Sequence, residues 1–167
     1  MLVVAAMLTA CSPTPTPTPT PTPLFASEAE AFAAAEATYS AYNDALNQVD
    51  FSETTTFEAV FALLSGTAAS STREAFSRLH AEKTRVVGQT HYYSFSGATV
   101  DWIAGLVHAN VCVDVSDVDV LDASGASIVS ADRPPHQPMT ITFSKNSVAT
   151  PLTISDLEGT GEYECAG

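Results

Sequence analysis

Two apolar periods divide this chain, a helical one first and a strand-like one after it. Ser27-x-x-Glu30 has the form of a capping box, and Phe32, Tyr39, Tyr42, Leu46 and Val49 follow it on one helical face. Asp50-x-x-Glu53 repeats the start signal ahead of Phe57, Val60, Phe61 and Leu64, spaced i, i+3, i+4 and i+7, and Ser65-Gly66 ends that segment. A third helix fits 68–83, with Phe76 and Leu79 inward and either Thr67 or Ser71 as its start. Beyond Arg85 the period falls to two. His91, Tyr93 and Phe95 share one face, and Gly97 marks a bulge after which Val100 and Trp102 carry the apolar side. Val107, Ala109, Val111, Val113 and Val115 then alternate with His108, Asn110, Cys112 and Asp114, so the valine face belongs to the core. Past Ser116 the apolar role passes to Val118 and Val120, and Ala123-Ser124-Gly125 turns a hairpin into Ile128 and Val129. Arg133-Pro134-Pro135 is a loop, and Met139, Ile141 and Phe143 make another long alternating strand. Leu152 and Ile154, then Tyr163 and Cys165, supply a last strand interrupted by Gly159 and Gly161.

Helices followed by strands predict an α+β fold: three N-terminal helices packed on a curved antiparallel sheet of about four to six strands, a cone-like roll. The folded part spans 24–167, enough chain to bury roughly two-thirds of its surface around one core. The element order, the Tyr-rich first helix, the run Val111-Cys112-Val113-Asp114-Val115 and the turn Asp122-Ala123-Ser124-Gly125 resemble secreted lipoproteins of high-GC Gram-positive bacteria. That resemblance implies, over about residues 25–165, the cystatin-like cone of nuclear transport factor two and the SnoaL-like enzymes. No hairpin falls between the second and third helices, so the implied cone has a shallow mouth or none.

Ahead of the helices, a short apolar run from Leu2 to Thr9 leads into Leu8-Thr9-Ala10-Cys11, which resembles the bacterial lipobox. The resemblance implies that residues 1–10 are a lipoprotein signal peptide and that Cys11 becomes the first residue, carrying a diacylglyceryl group. Residues 11–23 then form the lipidated Cys and a Pro-Thr tether, since every second residue from Pro13 to Pro23 is proline. Proline fixes φ and biases the preceding Thr towards extended backbone, giving polyproline II with a span of about 34 Å. Two acyl chains, at ~0.8 kcal/mol per buried methylene, anchor stably where one would not. The expected place is the extracytoplasmic face of the cell membrane, lipid-anchored and not spanning.

Charge narrows the partners. Nineteen Asp and Glu against six Lys and Arg give a net charge of -13, and no Lys or Arg precedes Arg73. Such a polyanion repels phosphate, which disfavours nucleic acid and electrostatic docking on anionic headgroups. The 46% apolar content excludes wholesale disorder. With Cys11 lipidated, Cys112 and Cys165 remain as a pair in an oxidising space, where a disulfide closing about 50 residues contributes roughly 4 kcal/mol. The rival, Cys112 as nucleophile with His108 as base, fails on geometry: on a strand, four residues span about 13 Å.

Candidate chemistry is sparse. His80, His91, His108 and His136 are scattered without metal-ligand spacing, and no metal or cofactor is implied. His91 stands out on the expected core face, and with Tyr39, Tyr42, Tyr93 and Trp102 it would line a cone mouth. Asp114, Asp117, Asp119 and Asp122 break the spacing of a calcium loop and read as a solvated strand face. Nucleophile elbow, phosphate loop and zinc-protease motifs are all missing, and no catalytic residue of the cone enzymes maps onto this chain. These readings point to a non-catalytic binding or accessory module of the cell envelope, with an envelope protein, a glycan or a small ligand as partner. The alternative is a small-molecule enzyme of isomerase, cyclase or hydrolase type acting in the cone mouth.

Overall fold

A computed structural model describes residues 24–146, 151–161 and 163–165. Residues 1–23, which hold the expected signal peptide, Cys11 and the Pro-Thr tether, lie outside the described residues. The fold is α+β: three helices precede an antiparallel four-stranded sheet, accompanied by a separate two-stranded one, and the sheet does not close.

Helix α1 (Glu28–Leu46) starts where the capping box places it. Ser27 Oγ accepts from the Glu30 N–H at 3.2 Å, while the Glu30 carboxylate reaches one residue further back than the usual box, to the Ala26 N–H at 2.8 Å. Its buried stripe is Ala31, Ala35, Thr38, Tyr39 and Asn43, with Phe32, Tyr42 and Leu46 half-buried at its margins. The alanines bring the helix backbone close to the sheet.

The second segment is shorter than its periodicity suggests. A 3-10 turn (Thr54–Phe57), capped by Glu53, runs into a single turn of α2 (Glu58–Phe61). Leu64 then leaves the helix and bridges Ile154, with Ser65 N–H donating to the Ile154 carbonyl at 2.8 Å. Ser65-Gly66 is therefore a sheet contact as well as the entry to α3 (Gly66–Ala81), whose Ala68, Ala69 and Phe76 are buried.

The strands are β1 (Arg85–Val87), β2 (His91–Asp101), β3 (Leu106–Asp114), β4 (Asp119–Leu121), β5 (His136–Lys145) and β6 (Leu152–Gly159). The main sheet runs β2-β3-β5-β6 with every pair antiparallel, and β1 pairs with β4. Alternation in β3 and β5 is borne out: Val107, Ala109, Val111, Ile141 and Phe143 are buried, joined by Leu152 and Ile154 of β6.

Strand β2 departs from the expected phase. Ser94 takes a left-handed φ of 54° and the register shifts between Tyr93 and Ser96, so Tyr92 and Phe95 face the helices while His91 and Tyr93 turn to the other side. A second shift between Gly97 and Thr99 brings Val100 inward. Gly97 is required here, because a Cβ would run into the Phe32 ring. The C-terminal residues also differ from expectation. Strand β6 ends at Gly159, and the chain crosses the outer face of the sheet, where Thr160 N–H donates to the Pro138 carbonyl at 3.0 Å and the Tyr163 hydroxyl to the Ser94 carbonyl at 3.2 Å. The Cys112–Cys165 disulfide, with Cα atoms 5.6 Å apart, pins this crossing and leaves Cys112 fully buried.

Candidate functional site

Of the five residues expected to line a cone mouth, Tyr39 and Tyr42 meet, while His91, Tyr93 and Trp102 lie elsewhere. Tyr39 is buried in the core, 5.9 Å from Tyr42 and 5.0 Å, edge-on, from Tyr92 between ring centroids. Burial pushes the Tyr39 phenol upward, with Tyr42 and Tyr92 adding to it, and the Tyr42 phenol is pushed up to about 12 by the same cause. The space under the helices is thus an interlocked aromatic layer, closed below by Phe95 against Phe143. Trp102 lies at the tip of the β2–β3 hairpin, 46% exposed.

His91 is exposed on the outer face. It pairs across the strands with Asp114, and Asp114 with His136, so a His-Asp-His row crosses β2, β3 and β5. Asp114 stays below the usual carboxylate range, chiefly because the Ser116 hydroxyl and N–H donate to it at 2.6 and 2.9 Å, with His136 and His91 assisting. His136 Nδ1 stands 3.9 Å from that carboxylate, and the Tyr93 ring meets the His136 ring edge-on at 5.7 Å. Among the described residues no three His, Cys, Asp or Glu side chains converge on a metal-sized space.

A cleft of about 1160 Å³ lies elsewhere, between the residues after α1, the end of α3 and the β1–β4 ribbon. It is lined by Asp50, Phe51 and Ser52, by His80, Lys83 and Arg85, and by the turn Asp122-Ala123-Ser124-Gly125. Both carboxylates are engaged by their own turns. Asp50 accepts from the Ser52 hydroxyl and N–H at 2.7 and 2.8 Å, and Asp122 from those of Ser124 at 2.6 and 2.8 Å. The serine hydroxyls, foremost, hold both acids below their ordinary range.

The cations of the cleft are placed by the end of α3. Lys83 N–H donates to the His80 carbonyl at 3.1 Å and Thr84 N–H to the Leu79 carbonyl at 3.0 Å, the Schellman pattern. The residue after the C-cap then needs a left-handed backbone, which favours glycine, yet Lys83 occupies it with φ 56°. That choice costs roughly 1 kcal/mol and puts a lysine in the lining of the cleft. Arg85 follows two residues on, and His80 is fixed by a 2.6 Å bond in which Nδ1 donates to the Phe51 carbonyl.

Sequence reasoning passed over this cleft because its walls come from three distant segments, none carrying a motif. A signal was present all the same: four of the six Lys and Arg residues, Arg73, Arg78, Lys83 and Arg85, fall within one short stretch of an otherwise acidic chain.

No family model matches the chain, and no curated protein does. Among solved structures it is similar to a chain from Novosphingobium aromaticivorans provisionally described as an aromatic ring hydroxylase. The identity is 14% and the TM-score 0.45, over 78% of this chain and 94% of that one. A likeness of this strength carries no argument about function.

Proposed function

We propose that this chain is an extracytoplasmic lipoprotein, held at the cell membrane by a diacylglyceryl group on Cys11, whose cone-derived domain is a non-catalytic binding module. The observation that carries the reading is the Cys112–Cys165 disulfide, a structural bond of the kind that persists outside the reducing cytosol. The helix-covered face supports the binding role, since Tyr39, Tyr92, Phe95 and Phe143 fill the space in which a cone enzyme would hold its substrate. The cleft lined by Lys83 and Arg85 suits a glycan or small ligand bearing anionic groups, for the acids beside it already accept hydrogen bonds from their own turns. Labelled palmitate should enter the wild-type protein and not Cys11→Ala, which should leave the membrane fraction or stall in export. Membrane retention of an unlabelled wild-type chain would reject the anchor.

One observation favours the enzyme alternative. With His80 Nδ1 committed to the Phe51 carbonyl, Nε2 is the ring nitrogen left to serve as a general base beside the cleft. A small-molecule activity lost in His80→Gln, with the thermal midpoint nearly unchanged, would promote that reading over the binding module.

A further inference from the structure

The β2–β3 hairpin ends in Asp101-Trp102-Ile103-Ala104-Gly105, and its two large side chains are exposed, Ile103 at 100% and Trp102 at 46%. Two apolar residues on a convex tip are too few for a protein–protein interface, which needs upwards of ~1,000 Å² of buried surface. The same pair suits the boundary layer of a bilayer, where Trp is enriched because it is apolar with one polar edge.

The position of the tip relative to the tether follows from the packing of α1 on β2. Asn43 and Asn47 bond the Thr90 carbonyl at the start of β2, Tyr39 packs on Tyr92 and Phe95, and Phe32 on Gly97. Helix α1 therefore runs antiparallel to β2, and its N-terminus points towards the end of β2. From Phe32 back to Glu28 is a further ~6 Å at the helical rise, so Leu24, itself 39% exposed, emerges at the pole that carries Trp102 and Ile103. A lipid on Cys11 therefore holds the domain from the end that carries Trp102 and Ile103, and residues 12–23, which span at most about 40 Å, allow that end to reach the bilayer.

Local charge is compatible with that placement. The Asp101 carboxylate is turned back to accept from the Ile103 and Ala104 N–H groups at 2.9 and 2.8 Å, and Glu30 is turned back on Ala26. Glu28 is at the same end, and exposed Lys145 lies beside Gly105 as a countercharge. The chain's net charge of -13 opposes electrostatic adsorption, which leaves apolar insertion as the mode of contact.

We propose that Trp102 and Ile103 form a membrane-contact tip that enters the interfacial layer of the bilayer holding the Cys11 lipid, an inference that rests on the anchoring reading above. Trp102 is the single tryptophan of the chain, so its emission reports this tip alone. The full lipidated protein is reconstituted into phosphatidylcholine vesicles with brominated acyl chains and compared with the soluble Cys11→Ala chain. The expected result is a blue-shifted Trp102 emission quenched by bromine, and loss of both in Ile103→Asp while that variant still floats with the vesicles. A floating protein whose Trp102 is unquenched and as open to acrylamide as in Cys11→Ala overturns the tip and leaves the anchor standing. A blue shift in native envelopes without bromine quenching in vesicles assigns the tip to a protein partner and likewise overturns it. A wild-type chain without lipid that stays in the supernatant overturns both.

Discussion

The two faces of the four-stranded sheet are closed by different means. Under α1 and α3 the closure is distributed over Val107, Ala109, Val111, Ile141, Phe143, Leu152 and Ile154, packed against helix residues. On the outer face the side chains are polar, with His108 bonded to Thr142 at 3.1 Å and Thr140 to Asn110 at 3.0 Å, and the cover is a few C-terminal residues fixed by one covalent bond. A hydrophobic face tolerates small losses and fails gradually as area is removed. The clamped face has one point of failure.

Truncation at the centre of the distributed face should have the largest effect. Phe143→Ala should cost about 3–5 kcal/mol, because Phe143 is fully buried, packs on Phe95 of β2 and lies between Val107 of β3 and Ile154 of β6, which cannot all collapse inward. Equilibrium urea unfolding measures it, and a loss under 1 kcal/mol would mean this face is not the core. Cys165→Ser should cost somewhat less, about 2–4 kcal/mol, while leaving the far-ultraviolet spectrum intact, since the helix-covered face is untouched. Hydrogen exchange should then rise in β2 beside Ser94 and stay low in β3. Uniform exchange across the sheet would contradict two independent closures.

Alkaline pH offers a milder probe of the helix-covered face. Burial raises the phenols of Tyr39 and Tyr42 above their unfolded value near 10, so their contribution is complete below pH ~10 and is lost as pH rises through about 12, the folded value for Tyr42. The thermal midpoint should fall over that window, and Tyr42→Phe should reduce the fall. A midpoint flat from pH 10 to 12 would place these rings in water. The smallest effect has the opposite sign: Lys83→Gly should stabilise by about 0.5–1 kcal/mol by relieving the left-handed backbone, while weakening any anionic ligand in the cleft. Destabilisation would show that the Lys83 side chain is held by folding contacts.

The contrast between faces also explains what the sequence revealed. The capping box at Ser27 and the alternation of β3 and β5 were legible because each depends on residues near in sequence or on strict burial of one side. The phase of β2 was not, because the residue that breaks it is Ser94, which carries no signature for a left-handed backbone. That one residue moved His91 and Tyr93 from the expected mouth to the outer face. The disulfide was read by parity of the cysteines, whereas the course of the last residues across the outer face was not, since Tyr163 and Cys165 alternate as well in a crossing segment as in a strand. The cleft was invisible for want of a local pattern, its clue being the clustered cations near Lys83.

The central claim is an anchored domain whose outer face is clamped in an oxidising space, and peptide mass spectrometry of protein taken from the cell envelope and alkylated without reductant tests it most directly. The account predicts one disulfide-linked peptide pair containing Cys112 and Cys165 and an N-terminal Cys11 bearing diacylglycerol. Two alkylated thiols at Cys112 and Cys165, with an unmodified Cys11, would contradict it.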